Sequence, residues 1–336
     1  MKNLKVKYMG IDLENPLIVG ASNMVTNIDK LKKAEESGAA AIVYKSLFEE
    51  QIQLERFKMD EDLSEFNNIH AEMITSHPNI EHSGPDEHLS NIREAKESLS
   101  IPLIASLNAI EMDTWLEYAK LIAQTGVDGI ELNFYKTPLD FEKSGDEIEN
   151  EQLNLVKEIK KSTSLPLAVK LSSDYSNVLN FIKKLDKAGA DSFVLFNSFF
   201  QPDININSEE HIKNFNLSNK GDYRKSLRYA GLLFENIDAG ICSSHGIFTG
   251  ADIVKLLLAG STCVQVVSTL YENGLDHIAS MLKEINDWME KKNYKNIDDF
   301  RGKLSMNSLK SNPFVYKRAQ YVDLLLNSEE LFSGQR

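Results

Sequence analysis

Apolar residues in this chain gather in short runs that recur at a regular interval. The first half carries them at 17–22 (LIVGAS), 40–46 (AAIVYKS), 102–107 (PLIASL) and 129–134 (GIELNF). The second half repeats them at 166–171 (PLAVKL), 192–197 (SFVLFN), 239–244 (AGICSS) and 263–268 (CVQVVS). Their apolarity is near-continuous rather than alternating, which predicts strands buried on both faces, as in a parallel sheet. Between them, residues 27–37, 113–124, 146–161, 177–187, 224–235 and 252–258 pair an apolar stripe with a charged face, which predicts helices.

The punctuation is as regular as the runs. Pro16, Pro102 and Pro166 each stand at the start of a run, a place where proline is tolerated in a sheet. Gly38, Gly126, Gly189 and Gly260 each precede the next run, where a left-handed residue can end a helix. The prolines lead their glycines by 22, 24 and 23 residues, and Gly260 follows Asp238 by 22. Four βαβ units of near-equal length predict eight parallel strands.

These units predict an α/β fold: a (β/α)8 TIM barrel with its functional loops at the strand C-terminal ends. An open doubly wound sheet is the alternative, because repetition alone does not prove closure. Residues 47–84 and 198–223 interrupt the repeat after strands two and six, where a barrel keeps its active site. The polar, glycine-containing stretch 208–223 reads as a mobile lid. Residues 1–304 read as one barrel domain. Residues 305–336 read as a C-terminal helical extension packed on its outside.

Charge and composition then narrow the class. The chain has 336 residues, with 37 lysines and arginines against 50 acids, a formal net charge of -13. That balance argues against a nucleic-acid partner, which needs a basic face, and leaves room for a small anionic ligand. No apolar run reaches the ~18 residues of a membrane span. The opening MKNLKVKYMG lacks the apolar core of a secretory signal. Cys242 and Cys263 form no framework, which fits a reducing, cytoplasmic setting.

In a barrel, the polar residues at the strand ends converge on one mouth: Ser22 and Asn23, Lys45 and Ser46, Ser106 and Asn108, Asn133 with Tyr135 and Lys136. Lys170 and Ser172, Asn197 and Ser198, Ser243, Ser244 and His245, and Ser268 and Thr269 complete the set. An ammonium inside an apolar strand is costly unless it meets an anion. Lys45 and Lys170 are two such cases, although either could snorkel or pair with a buried acid. The loops after strands seven and eight, His245-Gly246 and Ser268-Thr269, predict a phosphate site near a helix N-terminus. Thr249-x-x-Asp252 also reads as a capping turn. His70, His77, His82 and His88 match no metal template. Cys242, Cys263 and Trp115 read as packing.

At this point the strand ends resemble those of the dihydroorotate dehydrogenase family, over residues 4–304. Gly20-Ala21-Ser22 resembles the family's A-S-G, Tyr44-Lys45-Ser46 its lysine–serine pair, and Glu131-Leu132-Asn133 the start of its N-L-S-C-P-N motif. Val169-Lys170-Leu171 matches G-V-K-L, and Asn197-Ser198 the asparagine and hydroxyl of strand six. Gly246-Ile247-x-Thr249-Gly250 follows G-G-I-x-T-G, and Gln265 to Thr269 resembles Q-x-G-T-A. Asp299-Phe300-Arg301-Gly302-Lys303 resembles the terminal D-F-x-G-K.

The resemblance implies an FMN-dependent oxidoreductase acting on CH–CH groups of a small polar or anionic substrate, with dihydroorotate in pyrimidine biosynthesis as one candidate. It implies cofactor contacts from Ala21, Ser22, Lys45, Ser46, Ser106, Asn108, Asn133, Lys170 and Phe196. Phosphate contacts would come from Ser244, His245, Gly246, Val267 and Ser268, and substrate contacts from Asn133, Asn197 and Ser198. It also implies a soluble homodimer without a metal. The departures lie on the substrate side. The run Asn133-Phe134-Tyr135-Lys136-Thr137-Pro138 puts Lys136, with Tyr135 beside it, where the family keeps its Cys or Ser base. The N-x-M-G-L-P-N loop has no clear counterpart, His245-Gly246 stands for Gly-Gly, and Ser226-Leu227-Arg228 occupies a stretch that is glycine-paired in the family. A phosphate-binding lyase or aldolase using Lys45 or Lys170 as a Schiff-base amine is the competing reading, and a flavin binder without turnover is another.

Overall fold

A computed structural model describes residues 2–54, 85–135, 137–198, 201–212, 217–309 and 313–326. The chain opens with an antiparallel hairpin, β1 (Val6–Tyr8) and β2 (Ile11–Leu13), followed by β3 (Leu17–Val19) and α1 (Ile28–Glu36). Next come β4 (Ala41–Phe48), α2 (Pro85–Ser98), β5 (Leu103–Asn108), α3 (Met112–Ala123), β6 (Gly129–Asn133) and α4 (Gly145–Ser162). The second half supplies β7 (Leu167–Leu171), α5 (Val178–Lys187), β8 (Ser192–Leu195), a short hairpin of β9 (Asp203–Asn205) and β10 (Glu210–Ile212), and α6 (Arg224–Leu233). It ends with β11 (Gly240–Ser244), α7 (Gly250–Ala259), β12 (Cys263–Val266), α8 (Ser268–Asn273), α9 (His277–Lys292) and α10 (Ala319–Leu326). Strands β3 to β8, β11 and β12 close into one parallel barrel, with β12 pairing to β3. Closure decides between the barrel and the open sheet.

All eight apolar runs become barrel strands, each buried along its length apart from Lys45, Phe48, Lys170 and Gly240, which are partly exposed. The four glycines ahead of the even strands have φ of 100°, 85°, 103° and 130° at Gly38, Gly126, Gly189 and Gly260, the left-handed turn expected of them. A carboxylate follows two of these turns and braces the unit. Asp128 Oδ2 accepts from Leu103 N and Lys96 Nζ, both at 2.7 Å. Asp191 Oδ2 accepts from Leu167 N at 2.7 Å and Lys160 Nζ at 2.5 Å. Each brace ties a strand start to its neighbour and to the helix outside.

The structure adds elements that the periodicity does not announce. The β1–β2 hairpin closes the N-terminal end of the barrel: an added Cβ on Gly129 would lie 2.9 Å from Met9 Cε, and one on Gly240 3.3 Å from Tyr8 Cδ2. Helix α9 buries Ile278, Met281, Ile285 and Met289, and its Glu284 accepts from Gly250 N at 2.7 Å. Tyr316 Oη donates to Leu304 O at 2.7 Å, while Tyr321, Leu324 and Leu326 of α10 are exposed. His70, His77 and His82 lie outside the described residues. His88 is buried on α2, edge-on to Tyr44 with ring centroids 5.5 Å apart.

Candidate active site

The C-terminal strand ends surround a cavity of about 330 Å³, within the range of small-molecule sites. Its floor is polar where barrel interiors are usually apolar. Lys170 on β7 reaches into the cavity, and its Nζ lies 3.7 Å from Glu131 Oε1 on β6. Gln265 on β12 donates from Nε2 to Glu131 Oε2 at 2.6 Å. Glu131 and Gln265 are 1% and 3% exposed, and the Oε1 atom of each has no hydrogen-bond partner among the described residues. Lys170 is therefore the charge that compensates the buried carboxylate, and it remains open to a ligand above.

Joined to the cavity through Asn197 is a connected amide and hydroxyl network. Ser46 and Ser106 share a hydrogen bond of 2.7 Å, and Asn133 Nδ2 donates to Ser46 Oγ at 3.5 Å. Asn197 Nδ2 donates to Asn133 Oδ1 at 2.6 Å, and Asn108 Nδ2 to the Asn133 carbonyl at 2.6 Å. Five strand-end residues singled out from the sequence thus meet across β4, β5, β6 and the end of β8. Networks of this kind fix the orientation of each member.

One wall of the cavity has anion-binding character. His245 and Gly246 follow β11 with φ of 75° and 69°, and Gly246 N donates to Ser218 Oγ at 3.1 Å. Ser218 Oγ donates to Ser268 Oγ at 2.7 Å, and Ser218 N to the same oxygen at 3.0 Å. Gly246 is required here, since a Cβ would lie 2.7 Å from Asp222 N and 2.8 Å from Asn219 O. Ser244 Oγ donates to Phe196 O at 2.8 Å, and Ser226 Oγ to the carbonyls of Leu195 and Ser244 at 2.7 and 2.9 Å. The N-terminus of α7, by contrast, is closed. Asp252 Oδ2 accepts from Phe248 N and Thr249 N, and Glu284 takes Gly250 N. The capping turn at Thr249 and Asp252 is present, so the N–H groups of Phe248, Thr249 and Gly250 are taken, and the anion-binding character rests on the 245–246 and 267–268 turns.

Ala21, Lys170, Phe196, Asn197, Ser198, Ser244, His245, Gly246, Val267 and Ser268 line this cavity. Ser22 Oγ accepts from Met24 N at 3.3 Å, capping the turn after β3. Lys45 is half-buried on β4; burial pulls its pKa below the ordinary lysine value. Tyr135 turns away from the 330 Å³ cavity and lines a second one of about 610 Å³ with Trp115 and Phe134, its carbonyl accepting from Asn108 Nδ2 at 3.3 Å. Lys136 lies outside the described residues. No group of three His, Cys, Asp or Glu side chains able to hold a metal occurs among the described residues.

Sequence reasoning missed Ser218, Asn219 and Asp222, which line the cavity although they belong to the stretch read as a lid. It also left Glu131 and Gln265 as motif letters, although a carboxylate inside an apolar strand carries the same signal as a lysine there.

The sequence profile of dihydroorotate dehydrogenase matches residues 3–289. The chain belongs to the dihydroorotate dehydrogenase family. Among similar proteins, the catalytic subunit of dihydroorotate dehydrogenase B (NAD(+)) of Thermoplasma acidophilum is 26% identical over 318 residues, covering 90% of this chain and 99% of that protein. The counterpart in Methanocaldococcus jannaschii is 25% identical over 305 residues, 86% of this chain and 94% of that one. The NAD-dependent dihydropyrimidine dehydrogenase subunit PreA of Escherichia coli K12 is 24% identical over 328 residues, 91% of this chain and 78% of that one. As a dihydroorotate dehydrogenase-type protein the chain is an oxidoreductase acting on CH–CH groups, of a flavin-dependent family. This replaces the aldolase reading of Lys45 and Lys170. No helix among the described residues is long and apolar enough to cross a membrane.

Proposed function

We infer that the cavity holds FMN and that the chain uses it to oxidise or reduce a carbon–carbon bond in a small polar, anionic substrate. The observation that carries this reading is the pairing, across one cavity, of the Lys170 ammonium with the hydroxyl and N–H cradle at Gly246, Ser218 and Ser268. That donor set fits a molecule with a phosphate at one end and an electron-accepting ring at the other. FMN, when bound, supplies the hydride acceptor or donor facing the substrate carbon.

The chain's own residues do the rest. Ser244, His245, Gly246, Val267 and Ser268 hold the phosphate; Ala21, Ser22, Lys45, Ser46, Ser106, Asn108, Asn133, Lys170 and Phe196 surround the ring. Gly20 keeps the wall low, since a Cβ there would lie 2.8 Å from Val267 Cγ2. Lys170 fixes positive charge where negative charge develops during reduction. Asn133, Asn197 and Ser198 orient the polar edge of the substrate. Lys136 stands at the family's base position and moves the substrate proton, with Tyr135 as its neighbour in that loop. A lysine accepts a proton at neutral pH only where burial lowers its pKa. The changed loop at 134–138 points to a substrate other than dihydroorotate, and the buried thiols Cys242 and Cys263 suit a cytoplasmic enzyme. A homodimer is the proposed assembly.

The test is the colour and redox chemistry of the purified protein. It should be yellow and release FMN on heating in equimolar amount. A colourless protein that takes up no FMN on titration would remove this reading.

A further inference from the structure

The loop after β11 departs from the family at a phosphate contact whose ionisable side chain the cofactor reading has not yet given a role. His245 replaces the first glycine of the family's Gly-Gly-Ile, yet keeps the left-handed backbone, φ 75°, that a glycine adopts without strain. A non-glycine residue persists there only where its surroundings over-determine it. Here the surroundings are the Asp222 side chain, a contact that becomes an ion pair only when the ring is protonated. His245 Nε2 lies 3.4 Å from Asp222 Oδ2, on the segment that also brings Ser218 into the cradle. Both residues line the cavity with Gly246 and Ser268.

The charges around the ring are few. Asp222 faces it, Lys225 of α6 acts on it from the helix side, and Lys170 stands in the same cavity. Lys220 lies 5.8 Å from the centre of the Phe248 ring. Asp252 and Lys255 neutralise each other at 3.1 Å on α7. Burial holds the imidazole below its ordinary pKa, Asp222 opposes that, and Lys225 reinforces it. The free protein therefore presents a neutral ring at neutral pH, with a carboxylate beside the anion cradle. A phosphate dianion placed there would share the cavity with the Asp222 carboxylate as well as with Lys170.

We propose that a phosphate monoester entering this cradle brings a proton with it, His245 becoming an imidazolium that bridges Asp222 and the phosphate. The proton comes from water on binding and returns to it on release; no bond other than N–H is made or broken. The inference rests on the FMN reading and deepens it: the phosphate anchor is charge-switched, where a Gly-Gly turn offers only backbone dipoles. The affinity for phosphate-bearing flavin thus falls as pH rises, and riboflavin, lacking the phosphate, shows no such dependence.

Calorimetric titration of the full chain, stripped of flavin, tests it. FMN and riboflavin are titrated slightly above neutral pH, in two buffers of different ionisation heat. At that pH free FMN is already mostly dianionic, so a proton taken up belongs to the protein. The expected result for FMN is uptake approaching about one proton, with affinity weakening up to about tenfold per pH unit. His245→Gln should bind FMN with no uptake and a flat pH profile. His245→Gly, which relieves the backbone, should behave likewise and guards against misfolding of the first variant. FMN binding to the wild type without uptake, or equal uptake by both variants, would overturn the inference and leave the flavin reading standing. A wild type that binds no FMN would overturn both.

Discussion

Replacing Lys170 with methionine isolates the charge pair at the barrel floor. The Nζ–Oε1 separation is 3.7 Å, with the two side chains 13% and 1% exposed. At an effective dielectric constant of about 20, two unit charges at 3.7 Å attract by about 4.5 kcal/mol. Removing one partner leaves Glu131 buried with only the Gln265 amide, and losses of about 3–5 kcal/mol are usual for such an orphan. Replacing both residues, as Lys170→Met with Glu131→Gln, removes the attraction and the orphan together. The double variant should therefore be more stable than Lys170→Met, with a coupling energy of about 3–4 kcal/mol in the double-mutant cycle. Urea unfolding of the flavin-free wild type, both single variants and the double variant measures it, and working without flavin removes any cofactor contribution. A coupling energy below about 1 kcal/mol, the range of exposed pairs, would refute the claim that Lys170 is the counter-charge of Glu131.

Other expectations follow from separate features. Burial, with Lys45 nearby, pushes His88 down to about 4, below its unfolded value, so its contribution is complete above pH ~6.5 and is lost as pH falls toward 4. That loss amounts to about 3 kcal/mol, and His88→Phe should flatten the acid limb of a urea stability profile; an unchanged limb would refute the assignment. Gly246→Ala forces a Cβ to 2.7 Å from Asp222 N at a φ of 69°, so it should cost at least about 1–2 kcal/mol in stability and abolish FMN retention in gel filtration. Dihydroorotate should bleach the flavin poorly or not at all in anaerobic stopped flow; rapid bleaching that is lost in Lys136→Ala would restore the parent substrate.

The strands were legible because barrel strands are apolar on both faces, and because proline and glycine mark their starts. The same logic misses β1–β2, whose three-residue strands are too short to show alternation, yet whose Tyr8 and Met9 close the barrel floor. It misses α9, whose apolar positions Ile278, Met281, Ile285 and Met289 are separated by charges and whose burial depends on packing against α7. At the site, Lys170 was legible through the cost of burying an ammonium, and the cradle through its glycine and serines. Ser218 and Asp222 were not. Their role depends on a path over the barrel mouth fixed by hydrogen bonds to Ser268 and Gly246, partners distant in the chain. Lys45, read with Lys170 as a partner for an anion, is half-buried on β4.

The paired braces at Asp128 and Asp191 bear on how this protein can change. Each locks the base of one βαβ unit from below, far from the strand ends that carry chemistry. Substitutions at the open end should therefore leave strand register unchanged, and substitutions at the base should leave the cradle in place. Because sites well apart without shared partners combine nearly additively, the two ends of the barrel can vary on separate schedules. A mouth whose sequence departs from the family at Lys136 and His245, set on a braced base, is what such independence allows: specificity can change there while the scaffold below stays still.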